Sequence, residues 1–182
     1  MEARVCRALK FNLNFCTPVQ YVDRFLRASY VTSEGNVASA GVASGRQGMS
    51  MAVMASCANN PRNVLMNKLV HYLLDLAVLE YKLVAKKPSL VCAAAVYLAR
   101  ATLGVCDPAS DPMSLGRYWS KTLEYYTGYD QWDLEESVRL LYRLQDNAEE
   151  SNLSCVFKKH KGVKTKRVAT KTVVNEEELG FL

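Results

Sequence analysis

Residues 69–104 read LVHYLLDLAVLEYKLVAKKPSLVCAAAVYLARATLG, and this stretch decides the fold. It holds two apolar helical runs, Leu69–Lys82 and Pro88–Gly104, joined by a charged turn that a proline marks. Neither run leaves a polar face wide enough for a surface helix. Both must be buried, and in a chain of 182 residues that places them at the centre of the domain. From Leu90 to Ala99 the second run is almost continuously apolar. A membrane span needs about 20 apolar residues. This run is shorter, bounded by Lys86-Lys87 and Arg100, and the first carries His71 and Asp75 in its middle. Two core helices are expected.

Toward the N-terminus, Asn60-Pro61 starts the first helix, which is read to about Glu80. Its polar residues Asn67, Lys68, His71 and Asp75 share one narrow stripe. Residues 30–60 are rich in Ser, Gly, Ala and Asn without a sustained period, which predicts a long flexible insertion. Within it, Met49–Ala58 could form a transient helix. Thr17-Pro18-Val19-Gln20 reads as a helix start with a capping box. Val19, Val22, Phe25, Leu26 and Ser29 then share a face at helical spacing. Phe11, Leu13 and Phe15 alternate with Asn12 and Asn14, and without a partner strand they read as an extended connector. Residues 2–9 look like the last turns of a helix.

Toward the C-terminus, Gly104 can stop the second run, and 105–115 is a turn-rich loop. A short helix from about Tyr118 to Tyr126 ends at Gly128. Asp130 can cap the next, with Asp133, Glu135 and Glu136 in its first turns, where the helix dipole favours negative charge. Leu134, Val138, Leu141 and Gln145 give it an apolar side. A last helix, about 151–160, leads into a basic tail. No convincing strand appears. The class is all-α, a five-helix bundle around a central apolar helix at 88–104.

The net charge of +5 describes the tail more than a binding face, since seven of the 23 Lys and Arg residues fall between Lys158 and Lys171. Six cysteines, none in a C-x-x-C pair, and two histidines do not make a zinc pattern. Cys92, inside an alanine-rich run, reads as a small core residue. The opening Met1-Glu2-Ala3-Arg4 has no signal-peptide apolar run, and a reduced, intracellular setting is expected.

Chemistry is hard to find. Asp130, Asp133, Glu135 and Glu136 could be paired catalytic carboxylates, but capping and dipole complementation explain them better. Glu135 and Arg139 make an i,i+4 pair. His71 could be a base, although a locally satisfied boundary residue is the plainer reading. Trp119 and Trp132 could stack on bases, but beside helix starts they are better placed to pack into grooves. The Lys158–Lys171 run could bind phosphates or act as a nuclear-import signal, or it could be a solvated disordered tail; both readings stay open. No nucleophile elbow, phosphate loop or His-Glu zinc motif occurs. Catalytic, cofactor-binding and metal-binding residues are therefore none, and partner-binding residues are unknown. Composition and spacing alone support a helical interaction module.

A series of short words adds to this. Leu9-Lys10-Phe11-Asn12-Leu13 is followed by Thr17-Pro18 and Phe25-Leu26. Then come Leu73-Leu74-Asp75-Leu76 and Leu79-Glu80-Tyr81, Pro88-Ser89, Ala93-Ala94-Ala95 and Tyr97-Leu98-Ala99-Arg100. Trp119, Thr122-Leu123, Tyr126-Thr127-Gly128-Tyr129 and Leu134 follow, and Phe157-Lys158-Lys159-His160 closes the series. In order and spacing these words resemble the C-terminal cyclin fold of A- and B-type cyclins, across Glu2–Leu26 and Lys68–Val163.

The resemblance implies a regulatory, non-catalytic subunit of a cyclin-dependent protein kinase, acting in cell-cycle control in nucleus and cytoplasm. It implies no cofactor, no small-molecule substrate and no membrane. In that family a first fold, the cyclin box, carries most kinase contacts and the substrate-docking patch, and this chain lacks it. Residues 1–10 would then be the end of a helix from that box. Residues 11–160 would be the C-terminal fold with its insertion at about 30–60, and 161–182 a disordered basic and acidic tail. Kinase binding without the box would be weak or absent. A truncated start and a true half-sized relative both remain open. The rival readings are a nucleic-acid-binding cyclin fold like that of transcription factor IIB, supported only by the basic tail, and an enzyme using His71 or Asp130.

Overall fold

The computed structural model describes residues 1–29, 59–106, 117–151, 154–162, 165–170 and 179. Among them the chain is all-helical. Eight α-helices occur: α1 (Glu2–Ala8), α2 (Val19–Ser29), α3 (Pro61–Ala77), α4 (Tyr81–Val84), α5 (Pro88–Thr102), α6 (Lys121–Thr127), α7 (Gln131–Asp146) and α8 (Cys155–His160). A 3-10 turn follows at Val168–Thr170. The expected five-helix bundle is α2, α3, α5, α6 and α7; the short α4 and α8 add Leu83 and Phe157 to its core, and α1 buries none of its residues.

The centre is α5. Every residue from Val91 to Ala101 is buried, and α2, α3 and α7 pack against it. Ala93, Ala94, Ala95, Ala99 and Ala101 keep the helix slim, so the large side chains of its neighbours, Leu69, Leu73, Leu134 and Leu141 among them, join it in one apolar cluster. Each such fully buried leucine contributes about 2 kcal/mol of apolar burial. Cys92 lies fully inside this helix, and burial pushes its thiol up to about 12, which suits an inert core residue.

Arg100 is where the sequence reading falls short. It was expected to bound the apolar run, yet it is fully buried. Its Nε donates to the Tyr118 carbonyl at 2.8 Å and its Nη1 to the Ser29 carbonyl at 3.1 Å. A planar guanidinium with several fixed donors can satisfy backbone acceptors from two chain segments at once, and this lets the charge sit inside.

The helix of the first run also ends earlier than expected. α3 begins where Asn60 accepts from the Arg62 N–H at 3.0 Å, and it stops at Ala77. Glu80 is extended and its side chain accepts from the Lys82 N–H at 3.3 Å, capping α4. A glutamate inside an apolar pattern reads as helix, but here it resets the backbone. At the N-terminus of α2, the Gln20 side chain accepts from the Cys16 thiol at 3.1 Å in place of the expected capping box. α6 is capped by Ser120, which accepts from the Leu123 N–H at 3.3 Å, and stopped by Gly128 in the left-handed conformation at φ 73°.

The disordered tail does not hold for its described part. Val168 and Leu179 are fully buried and Ala169 nearly so, with the 3-10 turn seated on α3 and α8. Isolated apolar residues among charges give no periodic signal, and their packing shows only in three dimensions. The expected insertion, with its Met49–Ala58 helix, lies outside the described residues except at its 59–60 end. Most of the 105–115 loop, and tail residues 171–178 and 180–182, lie outside them as well.

Candidate functional site

The acidic residues at the start of α7 are occupied with structure. Asp133 accepts from the Asp130 N–H at 3.1 Å, half of a reciprocal capping box. Glu135 pairs with Arg139 at 2.9 Å. Glu136 bridges to Lys86, whose hydrogen bond holds its carboxyl below the usual range. These carboxylates point to three different partners and converge on no common reacting atom. His71 is half-buried on α3. Asp75, one turn on, turns to Lys159 and His160 at 2.7 and 2.8 Å. Among the described residues no group of three His, Cys, Asp or Glu side chains could hold a metal ion, and no helix is long and apolar enough to cross a membrane.

The two tryptophans part company. Trp119 packs as expected, tilted against Tyr97 at 5.9 Å, with its indole N–H donating to the Tyr129 carbonyl at 3.0 Å. Trp132 does not: it is 60% exposed on the first turn of α7. The residues of α7 that turn inward are Leu134, Ser137, Val138, Leu141 and Gln145, and position 132 falls off that face.

The basic run is partly neutralised. Lys159 is tied to Asp75, and Lys161 reaches Glu149 at 3.3 Å while lying over the Phe157 ring. Lys166 and Arg167 remain on the surface, in a turn with left-handed backbone at φ 57° and 52°. His160, at the end of α8, is buried against the Tyr72 ring at 5.2 Å. Burial also pushes the Tyr72 hydroxyl up to about 12. The His160–Asp75 contact joins residues 85 apart, so no local pattern could have revealed it.

The surface best suited to a partner lies at the other end of the chain. α1 buries none of its residues. Phe11 and Phe15 are 70% and 73% exposed, and Val5, Leu9, Leu13 and Val19 also stand open to solvent. Single exposed apolar residues are ordinary, but here six fall within fifteen positions. The Phe-Asn-Leu-Asn-Phe alternation was a signal for this segment. What it could not show is that the bundle leaves both rings uncovered. Lys10 and Phe11 take positive φ, 48° and 57°, where the chain turns from α1 into the connector.

A family model for the cyclin C-terminal domain matches residues 16–173. That range contains the whole bundle and the buried turn at Val168–Thr170, but not Leu179. The chain belongs to the cyclin family. Among its relatives, cyclin-A1-1 of Arabidopsis thaliana is 31% identical over 171 residues, covering 94% of this chain and 30% of the plant protein. The G2/mitotic-specific cyclin-B of Dictyostelium discoideum is 28% identical over 174 residues, or 96% of this chain and 31% of that protein. Cyclin-B1-4 of Arabidopsis thaliana is 37% identical over 101 residues, 55% of this chain and 24% of the relative. The chain thus spans about a quarter to a third of the length of these curated relatives. The A/B-type resemblance and the C-terminal cyclin fold both stand.

Proposed function

We propose that this chain is the C-terminal fold of an A/B-type cyclin, a non-catalytic regulatory subunit of a cyclin-dependent protein kinase that acts in cell-cycle control. The observation that carries the reading is the match to the cyclin C-terminal domain across the sealed bundle around α5. The uncovered apolar segment at residues 5–19 supports it, because a preceding cyclin box would find there a surface to rest on. In this reading the fold braces the box. Taken alone it binds the kinase weakly or not at all.

Co-purification tests the reading. The chain and an in-frame extended form are each incubated with cyclin-dependent kinases, and binding and stimulation are measured. Binding by the extended form supports the proposal; failure of both forms with every such kinase sinks it. Residence in nucleus and cytoplasm is part of the same proposal, and imaging of the tagged extended form reads it. Against the nucleic-acid reading, Lys159 and Lys161 pair with Asp75 and Glu149, while Lys166 and Arg167 stay on the surface.

A further inference from the structure

Thr17-Pro18 opens α2, yet the threonine hydroxyl does no capping there. Among the described residues nothing hydrogen-bonds to it, and Gln20 accepts from the Cys16 thiol instead. Only the main chain of Thr17 takes part, its carbonyl accepting from the Gln20 N–H at 3.2 Å. The first turn of α2 holds no acidic side chain either. A helix start with neither a side-chain cap nor an acid is prone to fray.

The surroundings suit a covalent modification of that free hydroxyl. Residues 12–17 lie outside any helix; 12–16 are exposed, as are Val19 and Gln20, and Thr17 and Pro18 are half-buried. An enzyme cleft that takes its substrate chain extended meets such a segment with little unfolding. Of the five prolines, only Pro18 follows a serine or threonine. Proline brings no N–H that a cleft must satisfy, and proline-directed protein kinases select their acceptor hydroxyl by a proline in that position.

We propose that Thr17 is a phosphorylation site for a proline-directed protein kinase. Thr17 Oγ1 gives its proton to the kinase's base and bonds to the γ-phosphorus of ATP. The bond from that phosphorus to the β,γ-bridging oxygen breaks, and ADP leaves. The product carries a charge of about −1.5 to −2 and three strong acceptor oxygens. Beside the uncapped first turn of α2 this charge favours the helix. It also stands between Phe15 and Val19, both exposed, where an apolar partner could cover the segment only by stripping the phosphate of water. Phosphorylation therefore firms α2 and closes the apolar segment at residues 5–19 to a partner. This closing rests on the proposed docking of a cyclin box there; the site itself does not.

The full chain is incubated with a purified proline-directed kinase and labelled ATP, and the product is mapped by mass spectrometry. A single phosphate on Thr17 is expected, retained in Thr17→Ser and lost in Thr17→Val and Pro18→Ala. Thr17→Val should melt as the unsubstituted chain does, since the hydroxyl it removes holds nothing. The phosphorylated chain should melt about 2 °C higher. A peptide of residues 10–22 is the control for access. Phosphate on the peptide but not on the folded chain overturns the proposal, as do phosphate on neither and incorporation undiminished in Thr17→Val. In the extended form, phosphorylation should speed proteolysis between the two folds about fivefold. Unchanged cleavage with the phosphate in place overturns the closing of the segment and leaves the site standing.

Discussion

His160 Nε2 lies 2.8 Å from Asp75 Oδ2, and this contact fastens α8 to α3. Lys159 reaches the same oxygen at 2.7 Å, so one carboxylate holds two neighbouring side chains of α8. Burial pushes the Asp75 carboxyl up, but the hydrogen bonds from Lys159 and His160 outweigh it, and the group titrates below its ordinary value of 3.8.

A depressed carboxylate stabilises the fold above its unfolded pKa and loses that contribution as pH falls through the folded one. Asp75→Asn should therefore cost about 1–2 kcal/mol at neutral pH, an amount moderated by the partial exposure of the pair. The difference from the unsubstituted chain should shrink below the ordinary carboxylate range. Urea unfolding of both chains from neutral to strongly acidic pH measures it.

Ala94→Lys should unfold the domain. Ala94 is fully buried on α5, and a lysine there has neither room nor a counter-charge. An unpaired buried charge costs about 3–5 kcal/mol, a large share of the stability of a small domain. A normal melting curve for this variant would contradict the central placement of α5.

Arg100→Met should lose about 2–4 kcal/mol, because it strips the Ser29 and Tyr118 carbonyls of a charged donor. Arg100→Lys should recover little, since a lysine head lacks the fork that reaches both acceptors. Chemical denaturation of the three chains side by side decides this.

Gly128→Ala should cost about 1–2 kcal/mol through the backbone alone. The residue sits at φ 73°, and a Cβ added there meets nothing within 4 Å. Gly128→Asn should cost less, because asparagine tolerates the left-handed region better. Thermal melts of both variants give the comparison.

Phe11→Ser and Phe15→Ser should leave the stability of this chain within about 0.5 kcal/mol of its starting value, as surface substitutions do. In a form extended to include a preceding box, the same changes should loosen the association of the two folds. Melting curves read the first outcome, and limited proteolysis between the folds reads the second.

The parts legible in the sequence were those that leave a local trace. α5 was legible because a helix buried on every side needs an unbroken apolar run. The start of α7 was legible because Asp130 and Asp133 sit where a cap requires them. Arg100 was misplaced because arginine ordinarily marks a surface, and its carbonyl partners lie 71 and 18 residues away. Leu179 and Val168 were lost among charges, where no period announces burial. Trp132 was assigned to a groove because its helix start was right, but its angle around the helix was not weighed. For the exposed segment at residues 5–19, the alternating aromatics were plain, whereas their lack of cover depends on the whole bundle.

Arg100 has one more consequence, for the chain's tolerance of change. Ser29 closes α2, and Tyr118 stands just ahead of α6. One guanidinium moors both of these points to the central helix. Each pinned carbonyl shields the packing inside from a change of length just beyond it, and doubling a connection costs only about 0.6 kcal/mol in closure entropy. The bundle can thus accept new sequence at these two openings, and gain new attachments, while its interior stays under the old constraints.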